Sequence, residues 1–123
     1  MTRRTRVLTI WVKAQTFQLI ESGQKDLLVR SVGWMTGYFR AGVCVDICAT
    51  IKNKERRCKR QIVAIRSYST MLEIVDHEDL ARLAHGNKVQ TLSYLARIYR
   101  KEEEEGEAVV LELKPFETSE EPC

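Results

Sequence analysis

Leu19-Ile20-Glu21-Ser22-Gly23-Gln24-Lys25-Asp26-Leu27-Leu28-Val29-Arg30 is the stretch around which the chain is ordered. Phe17 and Ile20, just before and within it, keep helical spacing. Gly23 suits the left-handed residue that closes a helix. Leu27 to Val29 is a short apolar run suited to a buried strand. Lys25 and Arg30 thus stand at the two ends of one extended segment. Residues five apart on a strand point to opposite faces unless a turn resets the count. With Lys25 on the turn, both side chains can reach one cleft.

Outward from this stretch the elements alternate. On the N-terminal side, Val7 to Val12 predicts a first strand and Ala14 to Ser22 a helix, with Lys13 at the junction. On the C-terminal side, Leu27 to Ser31 is the second strand. Gly33 to Gly42 holds three glycines in ten residues and predicts a loop. It carries Trp34, Tyr38, Phe39 and Arg40, with Phe39 read as core. Val43 to Thr50 is a third strand, with Val43, Val45, Ile47 and Ala49 on one face.

Lys52 to Arg60 carries six basic residues (Lys52, Lys54, Arg56, Arg57, Lys59, Arg60) against one acid and no apolar period, so it reads as a basic hairpin loop. Gln61 to Ser67 is the next strand, with Ile62, Ala64 and Arg66 on one face and Val63 and Ile65 on the other. Thr70-Met71-Leu72-Glu73 has the form of a capping box and predicts a short helix. Asp76 to Asp79 starts a second helix that Gly86 ends. Thr91 to Tyr99 is a third helical piece, with Leu92, Leu95, Ile98 and Tyr99 on one face. Ala108 to Lys114 is the closing strand. The pattern is α+β.

At 123 residues the chain is one domain in size. The reading divides it into a basic arm over 1–6, a domain over 7–114 and an acidic flexible tail over 115–123. No apolar run approaches the roughly 18 residues of a membrane-spanning helix. The apolar stretch after the basic arm stops at Lys13 with no small-residue cleavage site, so a cytoplasmic location is expected. Residues 1–60 hold 13 Lys and Arg against 4 Asp and Glu, whereas residues 61–123 hold 7 against 13. Such asymmetry points either to a polyanionic partner or to halves that pair with each other.

Cys44, Cys48, Cys58 and Cys123 lack the spacing of a zinc knuckle, and no metal or other cofactor is expected. There is neither a Gly-x-Gly-x-x-Gly fingerprint nor a P-loop. His77 and His85 read as surface residues.

The stretch resembles the ASCH family, the RNA-associated branch of the PUA-like superfold. The family signature Gly-x-Lys-x-x-Glu-x-Arg is met at Gly23, Lys25 and Arg30; its acidic position, threonine in some members, is Leu28. The order of elements downstream agrees over roughly residues 7–114. The resemblance implies a small mixed β-barrel with packed helices and a cleft opening near Lys13. It implies RNA or a nucleotide as partner, in a cleft lined by Lys13, Lys25, Arg30 and Tyr38.

Trp34, Tyr38, Arg40, Arg66 and Tyr68 complete the candidate ligand-binding set, with the basic segment 52–60 adding phosphate contacts. Lys25 is the best single candidate for chemistry, and it is expected at or near the surface. The alternative the resemblance allows is an enzyme on RNA or modified nucleosides. Acetylcytidine amidohydrolases of the family pair the lysine with a threonine nucleophile and a glutamate. Leu28 supplies no nucleophile, and no acid lies near His85 to Asn87. Ribonuclease chemistry would join Lys25 to Tyr38 or Tyr68.

Overall fold

The computed structural model describes residues 8–31, 37–98 and 107–115. Trp34 and Tyr99, the basic arm and the acidic tail beyond Pro115 lie outside the described residues. The elements run β1 (Leu8–Trp11), α1 (Ala14–Glu21), β2 (Leu27–Ser31), β3 (Cys44–Ile51), β4 (Lys54–Tyr68), α2 (Met71–His77), α3 (Leu80–Leu83), α4 (Lys88–Ile98) and β5 (Ala108–Pro115). The five strands form one mixed sheet in the order β1-β3-β4-β5-β2. Only the β1–β3 pair is parallel. The sheet curls into a half-barrel, so the expected barrel is present in an open form with β1 and β2 as its two edges.

Alternation along the strands divides the apolar residues between two cores. Leu28, Val45, Ile47, Ala49, Ile62, Leu111 and Leu113 face inward with Phe17 and Ile20 of α1. Leu27, Val29, Ala108 and Val110 face outward, where Met71, Ile74, Val75, Leu83 and Leu95 of the later helices cover them. β2 and β5 are therefore buried on both faces, which explains their unbroken apolar runs. Phe39 is buried in the first core, as read from the sequence.

Three expectations are corrected. The basic segment 52–60 is mostly strand, not loop. Lys52 and Asn53, both with positive φ (52° and 65°), form the two-residue hairpin turn, and Lys54 onward pairs with β3. The apolar period is missing because arginines fill two inward positions. Arg56 lies opposite Ala49, and its guanidinium carbon sits 5.7 Å from the centroid of the Phe17 ring while it pairs with Glu21. Arg60 lies opposite Val45 and donates to the Ile20 carbonyl. Their aliphatic stems cover apolar surface while the charges reach the end of α1.

The second correction is a bulge between Ile62 and Ala64. The extra residue breaks the alternation, so Ile62 and Ile65 both join the first core and Val63 turns outward. The third concerns α3. Asp79 caps its start, but its end is Ala84 in the left-handed region (φ 63°), two residues before Gly86. The capping box at Thr70 and Glu73 forms as read.

Ala84 holds a conformation that costs an L-residue about 1 kcal/mol. Ala84→Gly is expected to stabilise the protein by about 0.5–1 kcal/mol, less whatever the glycine adds to unfolded-chain entropy. A urea midpoint unchanged or lowered in the variant would contradict this.

Candidate functional site

Lys25 is 3% exposed, not at the surface as expected. Gly23 (φ 88°) turns the chain out of α1, and the Lys25 N–H donates back to the Leu19 carbonyl. The side chain then runs inward ahead of β2. Its Nζ donates to the Leu83 carbonyl at 2.8 Å and lies 3.1 Å from His85 Nε2. An ammonium has only protons to offer, so its bond to His85 requires the imidazole proton on Nδ1.

His85 reaches this point through the turn that follows α3. Ala84 and Gly86 both take positive φ, and a Cβ on Gly86 would lie 2.3 Å from Gln90 Oε1. Gln90 and Asn87 exchange hydrogen bonds that start α4. The His85 ring is half-buried and stacks on Tyr94, centroids 3.6 Å apart. The surface expectation therefore holds for His77 and fails for His85.

These groups line a cavity of about 250 Å³ between the two sheet edges. Trp11, Val12, Lys13 and Thr16 form one wall, Lys25, Leu28, Val29 and Arg30 another, and His85, Tyr94 and Leu95 the third. Arg30 spans the seam, its Nη1 3.5 Å from the Trp11 carbonyl. Thr16 Oγ1 and the Tyr94 hydroxyl share a hydrogen bond across it. Among the described residues no acidic side chain lines the cavity.

Of the residues proposed from the sequence, Lys13, Lys25 and Arg30 meet here. Tyr38 and Arg40 are exposed and line neither this cavity nor the neighbouring groove. Arg66 and Tyr68 are held elsewhere. Arg66 forks onto Glu78 at 2.6 and 2.8 Å and also donates to Glu112, while the Tyr68 hydroxyl donates to Glu78. Neither tyrosine lines the cavity that holds Lys25. Of the basic segment, Arg56, Arg57 and Arg60 hold Glu21, Asp46, Glu55 and the Ile20 carbonyl. Lys52, Lys54 and Lys59 have no ion pair among the described residues. Among the described residues no group of three His, Cys, Asp or Glu side chains could hold a metal, and no helix is long and apolar enough to cross a membrane.

Thr16, His85 and Tyr94 escaped the sequence reading. For His85 a signal existed: Asn87 and Gln90, three apart, mark a helix start at Lys88 and leave only residues 84–87 for a tight turn. Thr16 and Tyr94 carry no local signal, since their pairing joins residues 78 positions apart.

Burial pushes the Lys25 amine down from 10.5 to about 7, against a smaller opposing pull from Asp26. Burial and then the Lys25 charge push His85 down to about 4. At neutral pH the imidazole is neutral and the amine is near its midpoint. A lysine lowered on folding binds fewer protons in the native than in the unfolded chain between about pH 7 and 10.5. Its contribution to stability therefore rises with pH across that window, and its penalty is complete below pH 7. Lys25→Met removes the penalty and adds a pH-independent cost for the unpaired Leu83 carbonyl. The stability difference, variant minus wild type, is expected to fall from pH 6 to pH 10 by at most on the order of 5 kcal/mol. Urea melts at four pH values measure it; a difference flat with pH would show the amine remains fully charged.

No protein-family model matches the sequence, and no curated protein does. Solved structures do. The chain is similar to the hypothetical protein PH0355, with a TM-score of 0.75 at 18% identity over 90% of this chain and 100% of that one. It is similar to a mutant of ZmASCH from Zymomonas mobilis, at TM-score 0.57 and 17% identity, covering 88% and 67% of the two chains. It is also similar to the ASCH domain from Lactobacillus crispatus, at TM-score 0.53 and 13% identity, covering 88% and 78%. At such identities the likeness is one of fold: the curled sheet and packed helices of this chain form the α+β, PUA-like fold of the ASCH domain structures.

Proposed function

We propose that the protein binds RNA or a nucleotide, one nucleoside entering the cavity between β1 and β2. The observation that carries this reading is the buried Lys25 amine, held by Leu83 and His85 and lining a cavity with no acid among its described residues. A volume of about 250 Å³ lies just below the range of about 300–1,000 Å³ for drug-sized ligands and suits one base with its sugar. Val12, Leu28, Val29 and Leu95 offer apolar contact to the base. The Lys25 amine offers a donor to its edge or to a phosphate. Trp11, 49% exposed, offers a stacking face worth about 1–3 kcal/mol.

Anion contact falls to Lys13 and Arg30, the more open members of the lining. The start of α1 supports it: no side chain caps that end, and its first turn carries no acid. Lys52, Lys54 and Lys59 on the β3–β4 hairpin add phosphate contact without sequence choice. A cytoplasmic location accords with this role.

The expected result in fluorescence anisotropy is salt-sensitive binding of a labelled single-stranded RNA. Lys25→Ala is expected to weaken both that RNA and a mononucleotide by about ten-fold or more, the worth of a charged hydrogen bond of about 1.5–3 kcal/mol. Folded wild-type protein that binds neither at low salt would remove the reading.

A second reading, an enzyme at the same cavity, draws on the Lys25–His85 contact, since an amine near its midpoint beside an imidazole can move a proton. Acetylcytidine is expected to release no cytidine, because Leu28 brings no nucleophile to the floor. End-labelled RNA is expected to remain intact on long incubation. Products that form with wild type and vanish with Lys25→Ala would establish the enzyme instead.

A further inference from the structure

The stacked pair His85–Tyr94 belongs to two hollows at once. One is the cavity with Lys25. The other is an open groove of about 690 Å³ between α1 and α4, reached by Gln15, Gln90, Ser93 and Arg97. The two rings lie 14° from parallel, and both residues line both hollows. Arg97 is exposed and makes no ion pair among the described residues. Like the cavity, the groove has no acidic side chain among the described residues of its lining.

We infer that this groove is a second subsite, which takes the neighbouring nucleotide of a single-stranded RNA whose first base occupies the cavity. The inference rests on the cavity reading above and deepens it: the ligand is an oligonucleotide rather than a free nucleoside. Consecutive bases of an unstacked strand need hollows that are adjacent but separate, and two hollows that share His85 and Tyr94 in their linings meet that need. A neutral imidazole and a phenol present ring surface to a base in either hollow without adding charge. Gln15 and Ser93 offer donors and acceptors for a base edge or a ribose hydroxyl. Arg97 can fork onto the phosphate that follows. The absence of acids among the described lining residues spares that phosphate repulsion from them.

Charge complementarity and continuity with the cavity favour a nucleic acid over an apolar partner, although Val89 at the groove is 71% exposed. A second copy of the chain is the competing occupant, and its presence would show as self-association.

The test compares a 5′-mononucleotide with a six-nucleotide RNA of mixed sequence, using wild type, Arg97→Ala and Ser93→Glu. Both positions are exposed on α4, and thermal melts check that the variants fold. The hexanucleotide is expected to bind wild type at least ten-fold more tightly than the mononucleotide. Each variant is expected to lose most of that gain and leave the mononucleotide unchanged. Arg97→Ala is also expected to reduce the salt slope of hexanucleotide binding by about 0.7, the share of one phosphate in a single strand.

Equal affinities for the two ligands, or a gain untouched by both variants, overturns the groove while leaving the cavity reading intact. Failure of every ribonucleotide to bind overturns both. A dimeric mass in light scattering that Val89→Lys returns to monomer assigns the groove to a second copy and overturns the inference.

Discussion

The burial of one amine constrains the arrangement of this protein more than any other contact. Lys25 leaves water to reach the Leu83 carbonyl, and its desolvation is offset only by that bond, His85 and the nearby Asp26 charge. The two groups bonded to the amine, the Leu83 carbonyl and His85, depend on α3, a helix of four residues. α3 is too short to stand alone and is tied to the start of β2 by three contacts. The Lys25 amine reaches Leu83, the Asp26 N–H donates to the Arg82 carbonyl, and the Arg82 guanidinium forks onto the Asp26 carboxylate. The dipeptide before β2 is thus the anchor that places α3, the turn after it, and through that turn His85 and the start of α4.

Charge pairing carries the same logic outward. Tyr68, Glu78, Arg66, Glu112, Arg82 and Asp26 form one connected series from β4 and the end of α2 to the start of β2. Glu78 is the buried member. Burial opposes its charge, and the bonds from Arg66 and Tyr68 outweigh that and hold its carboxyl below the usual range. Several of its members are more than a third exposed, so its worth lies in fixing geometry more than in energy. Arg66 is basic, yet it is committed to two carboxylates. No ion pair among the described residues joins a cation of the first half to an acid of the second: Arg56 and Arg57 pair with Glu21, Asp46 and Glu55, and the one link between halves sets Arg82 on Asp26. The pairing of halves expected from the charge asymmetry is thus not seen among the described residues; the first-half arginines of β4 are held by acids of their own half, while Lys13 and Arg30 line the cavity.

What could be read from residues followed from local rules. Gly23 as a helix stop, β2 as a strand buried on both faces and the capping box at Thr70 rest on short-range chemistry, and each formed as read. The approach of Lys25 and Arg30 was legible because a turn and a strand bracket them, and Lys13 was placed beside them by the family resemblance alone; the depth of Lys25 was not legible. Legibility ended where tertiary packing overrides the local pattern. β4 carries arginines at inward positions, so its first half looked like a loop. The bulge after Ile62 reversed the faces of the residues beyond it. A helix closed by alanine in the left-handed region offers no glycine to read. The hydroxyl pair Thr16–Tyr94 joins distant elements and leaves no trace in either neighbourhood.

Leu28 decides how the cavity is to be understood. It lies in the strand that both cores share, turned toward the first, and is 4% exposed while still lining the cavity. Its neighbours Leu27 and Val29 turn to the second core. An apolar side chain at 28 therefore serves packing against Leu111 across the β2–β5 ladder and the apolar floor of the cavity at once. A hydroxyl there would need a hydrogen-bond partner among apolar neighbours, or would lose about 1–3 kcal/mol. The lining thus joins apolar Val12, Leu28, Val29 and Leu95 to a polar group of Lys25, His85, Thr16 and Tyr94, in which the His85 ring lies against Tyr94. That distribution sets an apolar surface beside the buried Lys25 amine. Leu28 brings no attacking group of its own to this wall, so any hydrolysis here would need a water activated by another side chain.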